Sequence, residues 1–384
     1  MRTAVIGTIL LLLGAVAVPL KILSPDAVAE LWARVWPILL FVVAITVVTE
    51  LAAEAGLFRV IAEQTARWGR GRAWLLWLCV AGLATVSTIF LSLDTTAVLL
   101  TPVVVVLARH VGLNPLPFAF TTVWLANTAS LLLPVSNLTN LLAQHRLGNP
   151  TPLQFASLTW APAIVAILVT VLVIFVVFRR SLLVSYAPDG HAPIADRPLL
   201  VIAGAVVALL LPALVSGVAV WIPAVAASAI LVVVFAVRRP RFLAPALLPW
   251  QLILLASGLF LFMAAAHALG IETVLAAVAG HGEDPVSLLR LAGVGAVGAN
   301  AADNLPAYLA FEPIANTPTR LVALLIGVNA GPLLTPWGAL ATLLWHERLA
   351  AMHVSVSWRR YLLLGLIASP LIVAAATMAI VLMV

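Results

Sequence analysis

Long apolar runs separated by short polar segments follow one another along almost the whole chain. Seven runs are long enough, at about 1.5 Å per helical residue, to cross a hydrocarbon layer of about 30 Å. They lie near residues 3–20, 36–53, 156–179, 198–215, 219–237, 249–268 and 358–382. The first run is interpreted as a retained span and not as a cleaved signal, although Ala15-Val16-Ala17 offers a weak cleavage-like site. The pattern predicts an all-α integral membrane protein.

Two further apolar regions are interrupted by polar residues near their middle. Residues 73–110 are predicted to form two helices separated at Ser92-Leu93-Asp94-Thr95-Thr96. Residues 286–315 repeat that form around Asn300-Ala301-Ala302-Asp303-Asn304. Unwound backbone at membrane depth is tolerated only where protein or a wet cavity satisfies it. We therefore predict two re-entrant hairpins whose turns face a binding site.

Each predicted hairpin is followed by an apolar segment that is broken at its middle. The first break contains Asn127 and Pro134, and the second contains Asn329 and Pro336. Aligning the two Asn residues also aligns the two Pro residues and gives seven identities in sixteen positions. Leucine is abundant here, so the Asn and Pro matches carry most of the similarity. These segments are predicted to be two broken transmembrane helices in related units.

The related units divide the chain into a first repeat at 1–197, a linking span at 198–218 and a second repeat at 219–384. Each repeat is predicted to run from hairpin to broken helix to closing span: 73–110, 117–145 and 156–179, then 286–315, 319–350 and 358–382. Residues 54–72, where charged and apolar residues mix, predict a helix along the membrane interface. Five crossings separate the repeats, so the second is predicted to be inverted.

The basic residues support this topology. Fifteen fall on the side of the N-terminus: Arg2, Arg59, Arg67, Arg70, Arg72, Arg109, Arg179, Arg180, Arg197, Arg238, Arg239, Arg241, Arg348, Arg359 and Arg360. Five fall on the other side: Lys21, Arg34, Arg146, Arg290 and Arg320. Because basic residues are enriched in cytoplasmic loops, we predict a multi-pass cell-membrane protein with its N-terminus in the cytoplasm and its C-terminus outside.

Composition excludes several other classes of protein. With 64% hydrophobic and 9% charged residues, the chain has more apolar surface than a soluble domain can bury. The net charge of +6 comes from short loop clusters, so no nucleic-acid surface is expected. A single cysteine, Cys79, excludes a disulfide framework, and no histidine spacing suggests a metal site. We expect no cofactor, and the absence of a GxxxxGK[ST] loop excludes nucleotide hydrolysis by that route.

Asp94 and Asp303 lie in the predicted hairpin interruptions, where an ionised carboxylate costs about 2.5–3.5 kcal/mol. Each either caps the short helix that follows or carries a proton or ion, and we favour the coupling role for both. The predicted substrate-binding residues are Asp94, Thr95, Thr96, Asn127, Thr128, Ser130, Ser136, Asn137, Asn300, Asn304, Asn329 and Thr335. Their donors and acceptors suit a small hydroxylated or anionic solute, although about half are expected only to satisfy freed backbone. Glu50 is interpreted as an interfacial residue.

Three stretches around the polar breaks, Leu93 to Pro102, Asn127 to Asn140 and Gly331 to Trp345, resemble signatures of the arsenite/antimonite efflux permeases. Leu93-Asp94-Thr95-Thr96-Ala97 through Pro102 is similar to their first hairpin signature. The stretch from Asn127 to Asn140 is similar to their most distinctive motif, and Gly331 to Trp345 resembles their second broken helix. The resemblance covers most of residues 90–380. The sequence departs from the commonest family pattern at Asp94-Thr95-Thr96 and around Asp303.

This resemblance implies an elevator-type transporter that exports trivalent arsenic or antimony from the cytoplasm in exchange for protons. It implies the fold shared with sodium–dicarboxylate symporters, often as a homodimer, and in some systems a soluble ATPase subunit. The alternative within transport is a sodium- or proton-coupled carrier of another small solute or anion. Outside secondary transport, the same residues leave open a channel or an intramembrane aspartyl enzyme that uses Asp94 and Asp303 as a pair. We expect a transporter and no enzymatic activity.

Overall fold

The computed structural model of the protein describes residues 2–186 and 196–382, so residues 187–195 of the predicted first repeat lie outside it. Within the described ranges the chain forms seventeen α-helices. In chain order these are α1 Arg2–Val16, α2 Pro25–Glu54, α3 Leu57–Trp68, α4 Ala73–Leu91, α5 Thr101–His110, α6 Leu116–Thr128, α7 Leu138–Arg146, α8 Pro152–Leu182, α9 Arg197–Val215, α10 Trp221–Arg238, α11 Trp250–Ala268, α12 Ile271–Ala279, α13 Pro285–Ala302, α14 Asn304–Phe311, α15 Pro318–Leu325, α16 Leu340–Ala351 and α17 Trp358–Val381.

Seven helices of the described residues are long and apolar enough to cross a membrane: α2, α4, α8, α9, α10, α11 and α17. The predicted span at 36–53 is the second part of α2, which begins at Pro25 under a cap from Ser24. The predicted span at 3–20 is too long, because α1 ends at Val16 after 15 residues, or about 22 Å. Pro19 lacks the N–H that a continuing helix would need, and the chain turns there.

The two hairpin interruptions are shorter than predicted. The first break is confined to Ser92, and Asp94 already has helical backbone before a π-helical turn at Thr95–Leu100. The second break is confined to Asp303, because α14 begins at the next residue. At each break one residue with a positive φ interrupts the helix, and its own side chain caps the helix that follows.

The predicted broken helices are also present. The first consists of α6, 3₁₀ turns at Ala129–Leu131 and Pro134–Ser136, and then α7. The second consists of α15, a π-helical turn at Ile326–Ala330, an irregular stretch at 331–339, and then α16. A Pro follows the start of each break, where the missing N–H and the bulk of the ring prevent the helix from continuing.

The long helices pair across the two predicted repeats. Helix α1 packs along α11, α2 packs along α10, and α8 packs along α17. Gly7 and Gly14 of α1 make the first of these contacts close, because a Cβ at either position would lie 2.7–2.8 Å from the α11 backbone. This reciprocal pairing is the arrangement expected of two related units, and the repeat boundaries stay a prediction.

Candidate functional site

Both hairpin turns and both broken helices border one small cavity of about 80 Å³ against α2 and α11. Its polar lining consists of Thr46, Ser92, Asp94, Ser136, Asn137, Asp303 and Asn304. Leucines from α7, α11 and α16 provide much of the apolar wall. The structure therefore brings five of the sequence-predicted residues, Asp94, Ser136, Asn137, Asp303 and Asn304, to one place. The starts of α7 and α14 also border the cavity.

The two carboxylates in this cavity have different surroundings. Asp303 accepts a hydrogen bond from the backbone N–H of Leu305 at 3.1 Å, so it caps the N-terminus of α14. Among the described residues, the Asp94 carboxylate has no hydrogen-bond partner and caps no helix. Both side chains are half-buried. Asp303 thus has a structural task, whereas the oxygens of Asp94 remain free to bind a solute or a proton from the cavity.

Asn329 connects the two broken helices. Its Oδ1 accepts hydrogen bonds from Asn137 Nδ2 at 3.0 Å and Thr139 Oγ1 at 2.7 Å. Its Nδ2 donates to Asn140 Oδ1 at 2.7 Å. All four side chains are buried, and Asn329 is fully so. The amide therefore holds Asn137 against the second repeat while the Asn137 side chain lines the cavity.

The freed backbone of each break is satisfied by a buried asparagine. In the first, Asn140 Nδ2 donates to the carbonyls of Ser130 at 2.6 Å and Leu133 at 2.9 Å. In the second, Asn300 Nδ2 donates to the carbonyl of Gly331 at 2.9 Å. The Oδ1 of Asn300 accepts from the N–H groups of Leu334 and Thr335 at 3.0 and 3.1 Å. These contacts allow irregular backbone to persist inside the fold.

The remaining predicted binding residues lie outside the lining of the small cavity. Thr95 lines the larger space next to it. Thr96 bonds to Thr88, Thr128 to the Trp124 carbonyl, Ser130 to the Asn127 carbonyl, and Thr335 to the Asn300 carbonyl. Asn127 donates only to the Val123 carbonyl, and its buried Oδ1 has no partner among the described residues. For these residues and for Asn300 and Asn329, the contacts present are structural, and a role in binding stays a prediction.

A wider space of about 410 Å³ continues from the small cavity, and we call it the vestibule. The two share Thr46, Ser92, Asp94, Leu252 and Leu340 in their walls. Beyond these, the polar lining of the vestibule consists of Thr49, Glu50, Thr95, Gln251 and Arg348, and the remaining lining residues are apolar.

Sequence reasoning missed Glu50 and Arg348 as cavity residues, because both lie near helix ends where charge is ordinary. One signal was available in the sequence. Thr46, Thr49 and Glu50 have the i, i+3, i+4 spacing of a single polar helix face inside an apolar run.

A separate pocket of about 420 Å³ lies at the other end of α2 and includes Arg34, Ile38, Gln144 and His145. Leu141 borders both this pocket and the small cavity, so it stands between them. Arg34 and Glu50 are sixteen residues apart in α2, or about 24 Å along the helix. The site therefore communicates with the vestibule at the Glu50 end of α2 and is separated from the pocket at the Arg34 end.

Comparison with known proteins agrees with this architecture. The arsenical pump membrane protein of Escherichia coli (strain K12) is 28% identical over 382 residues, which cover 92% of this chain and 88% of that protein. The arsenical pump membrane protein of Yersinia enterocolitica is 29% identical over 384 residues, with the same coverage of 92% and 88%. The resemblance to arsenite/antimonite permeases seen in the sequence motifs is confirmed by these relatives.

A solved structure supports the fold. The YdaH transporter of Alcanivorax borkumensis, described as having an unusual topology, superposes with a TM-score of 0.60 at 16% sequence identity. The match covers 100% of this chain and 97% of that one. The relatives and the solved neighbour are membrane transporters and not enzymes, which agrees with a multi-pass protein that moves a small molecule. Residues 2–327 match the citrate transporter family, and because this match spans most of the sequence, the chain belongs to that family.

Proposed function

We propose that this protein exports trivalent arsenic and antimony from the cytoplasm as neutral hydroxides, in exchange for protons. The relatives named as arsenical pump membrane proteins support the cargo. The observation that carries the proposal is the lining of the small cavity. It presents the free carboxylate of Asp94 beside the polar side chains of Ser136, Asn137 and Asn304, which suit a solute bearing hydroxyl groups.

The charge of the cavity favours a neutral cargo over citrate. Two carboxylates and no Lys, Arg or His are among the described residues that line it. A tricarboxylate would meet like charge in a poorly solvated space, which is unfavourable without a bound cation. A neutral hydroxide avoids this repulsion and can donate hydrogen bonds to Asp94. Recognition through hydroxyl groups also permits release, whereas several thiolates would trap a soft metalloid, and the chain has only Cys79.

We assign proton coupling first to Asp94 and give Asp303 a positioning role. A carboxylate that accepts hydrogen bonds from a hydroxylated cargo cannot do so equally well once it is protonated. Protonation of Asp94 from outside therefore weakens cargo binding there, and proton release to the cytoplasm restores the acceptor for the next solute. This competition uses an inward proton gradient to drive cargo outward.

The predicted membrane orientation indicates the side of the membrane to which the vestibule opens. If the N-terminus is cytoplasmic, as the distribution of basic residues predicts, the vestibule opens toward the cytoplasm, where cargo must enter. The hairpins and broken helices would then move as a unit against a scaffold of α1, α2, α9, α10 and α11, in an elevator motion. A homodimer and a soluble ATPase subunit belong to the same proposal through the family resemblance.

Flux into inside-out proteoliposomes with an imposed pH gradient tests this function. Arsenite, antimonite, sodium and citrate are offered in turn, and metalloid accumulation that collapses when the gradient is dissipated is the expected result. Citrate movement without metalloid movement would replace the proposal with the anion carrier. Metalloid flux that does not depend on the pH gradient would remove the proton coupling and leave the cargo in place.

A further inference from the structure

An ion pair between the buried Glu312 and the half-buried Arg34 joins the two repeats at the Arg34 end of α2. Arg34 of α2 donates through Nη2 to Oε1 of Glu312, which follows α14 directly. The hydroxyl of Tyr308 donates to the same oxygen at 3.1 Å. Glu312 is only 5% exposed, and Tyr308 is fully buried. The three side chains thus tie the helix of the second hairpin to α2, a helix of the first repeat.

We infer that Arg34, Glu312 and Tyr308 form a gate that closes the outer path while the vestibule is open, a function that rests on the orientation proposed above. The gate lies at the opposite end of α2 from Glu50, about 24 Å away along the helix. Between these ends, α2 contributes Phe41, Val42, Ile45 and Thr46 to the wall of the small cavity. Helix α2 is therefore bound to the second hairpin on one side of the small cavity, and it lines the vestibule on the other side.

The ion pair connects α2 with the end of α14, and these two helices pack mainly against other helices. Helix α2 packs mainly along α10, and α14 packs mainly on α13. In each of the four other ion pairs among the described residues, the carboxylate side chain is more exposed than that of Glu312. A buried pair is weak evidence for stability alone, because desolvation offsets much of its attraction. Its position between α2 and the second hairpin, the elements that move against each other in the proposed elevator motion, gives it a different use, that of favouring one of two arrangements.

Opening of the outer path would require the pair to separate. Leu141 stands between the small cavity and the pocket at the Arg34 end and is only 5% exposed, and it would then become more accessible from the side of that pocket. Arg34 also lines that pocket, so its guanidinium can be hydrated when Glu312 withdraws. Hydration lowers the free-energy cost of separating the two charges. A gate that opens and closes reversibly requires this cost to be small.

The gate is tested by the labelling of single cysteines with a membrane-impermeant maleimide, in vesicles of both orientations and without cargo. The background is Cys79→Ala, with Leu141→Cys reporting the outer path or Thr49→Cys reporting the vestibule. We expect Glu312→Gln and Arg34→Gln to raise the ratio of Leu141→Cys labelling to Thr49→Cys labelling by about tenfold, since the pair favours the inward-open arrangement. Tyr308→Phe, which removes one hydrogen bond, should raise it by about threefold.

Two further variants separate the gate from a general loss of stability. Arg238→Gln breaks the exposed pair between Arg238 and Asp196 and should leave the ratio unchanged. The double exchange Arg34→Glu with Glu312→Arg should return the ratio toward that of the unaltered gate. Folded Glu312→Gln and Tyr308→Phe proteins whose ratios stay within about twofold of the parent would overturn the inference. Because labelling needs no cargo, a failure to transport metalloid would count against the proposed function and leave this result standing.

Discussion

The two hairpin turns have nearly the same backbone and different chemistry. Ser92 has φ 108° and ψ 159°, and Asp303 has φ 98° and ψ 154°. Both side chains accept a hydrogen bond from an N–H in the helix that follows, at 3.4 Å for Ser92 and 3.1 Å for Asp303. Asp303 therefore corresponds in structure to Ser92. Asp94, two residues farther along, corresponds to Leu305.

This difference separates the two carboxylates by function. In the second hairpin the carboxylate of Asp303 caps the following helix, as the hydroxyl of Ser92 does in the first hairpin. In the first hairpin the acid is additional, because the cap is already present and the carboxylate faces the cavity without a partner among the described residues. An ionisable carboxylate inside the membrane is energetically costly, and that of Asp94 satisfies no backbone group. We propose that it is present to couple transport to protons. The experiments below test whether the two hairpins differ in this way.

The largest expected difference is between Asp94→Asn and Asp303→Asn. Asparagine keeps the size of either side chain but cannot bind and release the transported proton. Gradient-driven metalloid flux should fall about 1,000-fold in Asp94→Asn, which is within the range of lost proton-transfer chemistry. It should fall no more than about threefold in Asp303→Asn, because asparagine caps helices as well as aspartate does.

Counterflow of labelled against unlabelled cargo, measured without a pH gradient, provides the control for this pair. Asp94→Asn should retain exchange at cargo concentrations high enough to offset the weaker acceptor that asparagine provides, because only proton binding and release are lost. Equal losses of gradient-driven flux in the two variants would show that both hairpins carry the proton, as the sequence alone suggests.

The broken helices offer a second comparison, between Asn329 and Asn127, which align in the two repeats. Asn329→Ala removes three buried hydrogen bonds and leaves Asn137, Thr139 and Asn140 without that partner, so we expect a loss of about 3 kcal/mol in stability. Asn127→Ala removes one local bond and an unpaired acceptor, so its cost should be below about 1 kcal/mol. Unfolding monitored by tryptophan fluorescence in nanodiscs measures both, and similar losses would contradict the assignment of Asn329 as the connecting residue.

Much of this arrangement can be predicted from the sequence, because polar residues are rare within membrane-spanning segments and therefore stand out from the apolar runs. Hairpins, broken helices and both aspartates follow from polar residues inside apolar runs. The extent of each break does not follow, because it depends on a single residue whose side chain caps the next helix. The pairing of Arg34 with Glu312 joins positions 278 residues apart, which no local pattern indicates. The sequence places Glu50 at the membrane interface, because only the fold shows that it faces the vestibule.

A third comparison concerns how tightly each broken helix is packed by the closing span of its repeat. A Cβ at Gly365 of α17 would lie 2.0 Å from the carbonyl oxygen of Leu333 in the second break. The residue 202 positions earlier, Ala163 of α8, already carries that methyl group. Gly365→Ala should therefore force the second break apart and cost about 2 kcal/mol. Gly293→Ala is the matched control, because its Cβ would meet nothing within 4 Å, and equal melting temperatures for the two variants would refute the close packing.

The smallest expected effect tests the backbone of the hairpin turns themselves. Ser92 and Asp303 occupy a region of φ and ψ that glycine adopts freely and that costs other residues about 1–3 kcal/mol. Ser92→Gly should stabilise the protein by about 1 kcal/mol, because the long 3.4 Å cap that it loses is weak. Ser92→Ala keeps the strain and loses the cap, so it should destabilise by a similar amount.

Asp303→Gly gains the same relief from backbone strain but loses a stronger cap, so its net change should be near zero. Equilibrium unfolding of the three variants in one nanodisc preparation gives the order Ser92→Gly, Asp303→Gly, Ser92→Ala from most to least stable. If Ser92→Gly were less stable than the parent protein, the serine hydroxyl would contribute more to stability than the backbone strain costs. The first hairpin would then depend on its cap as strongly as the second does, and the structural contrast that singles out Asp94 would rest only on its open position in the cavity.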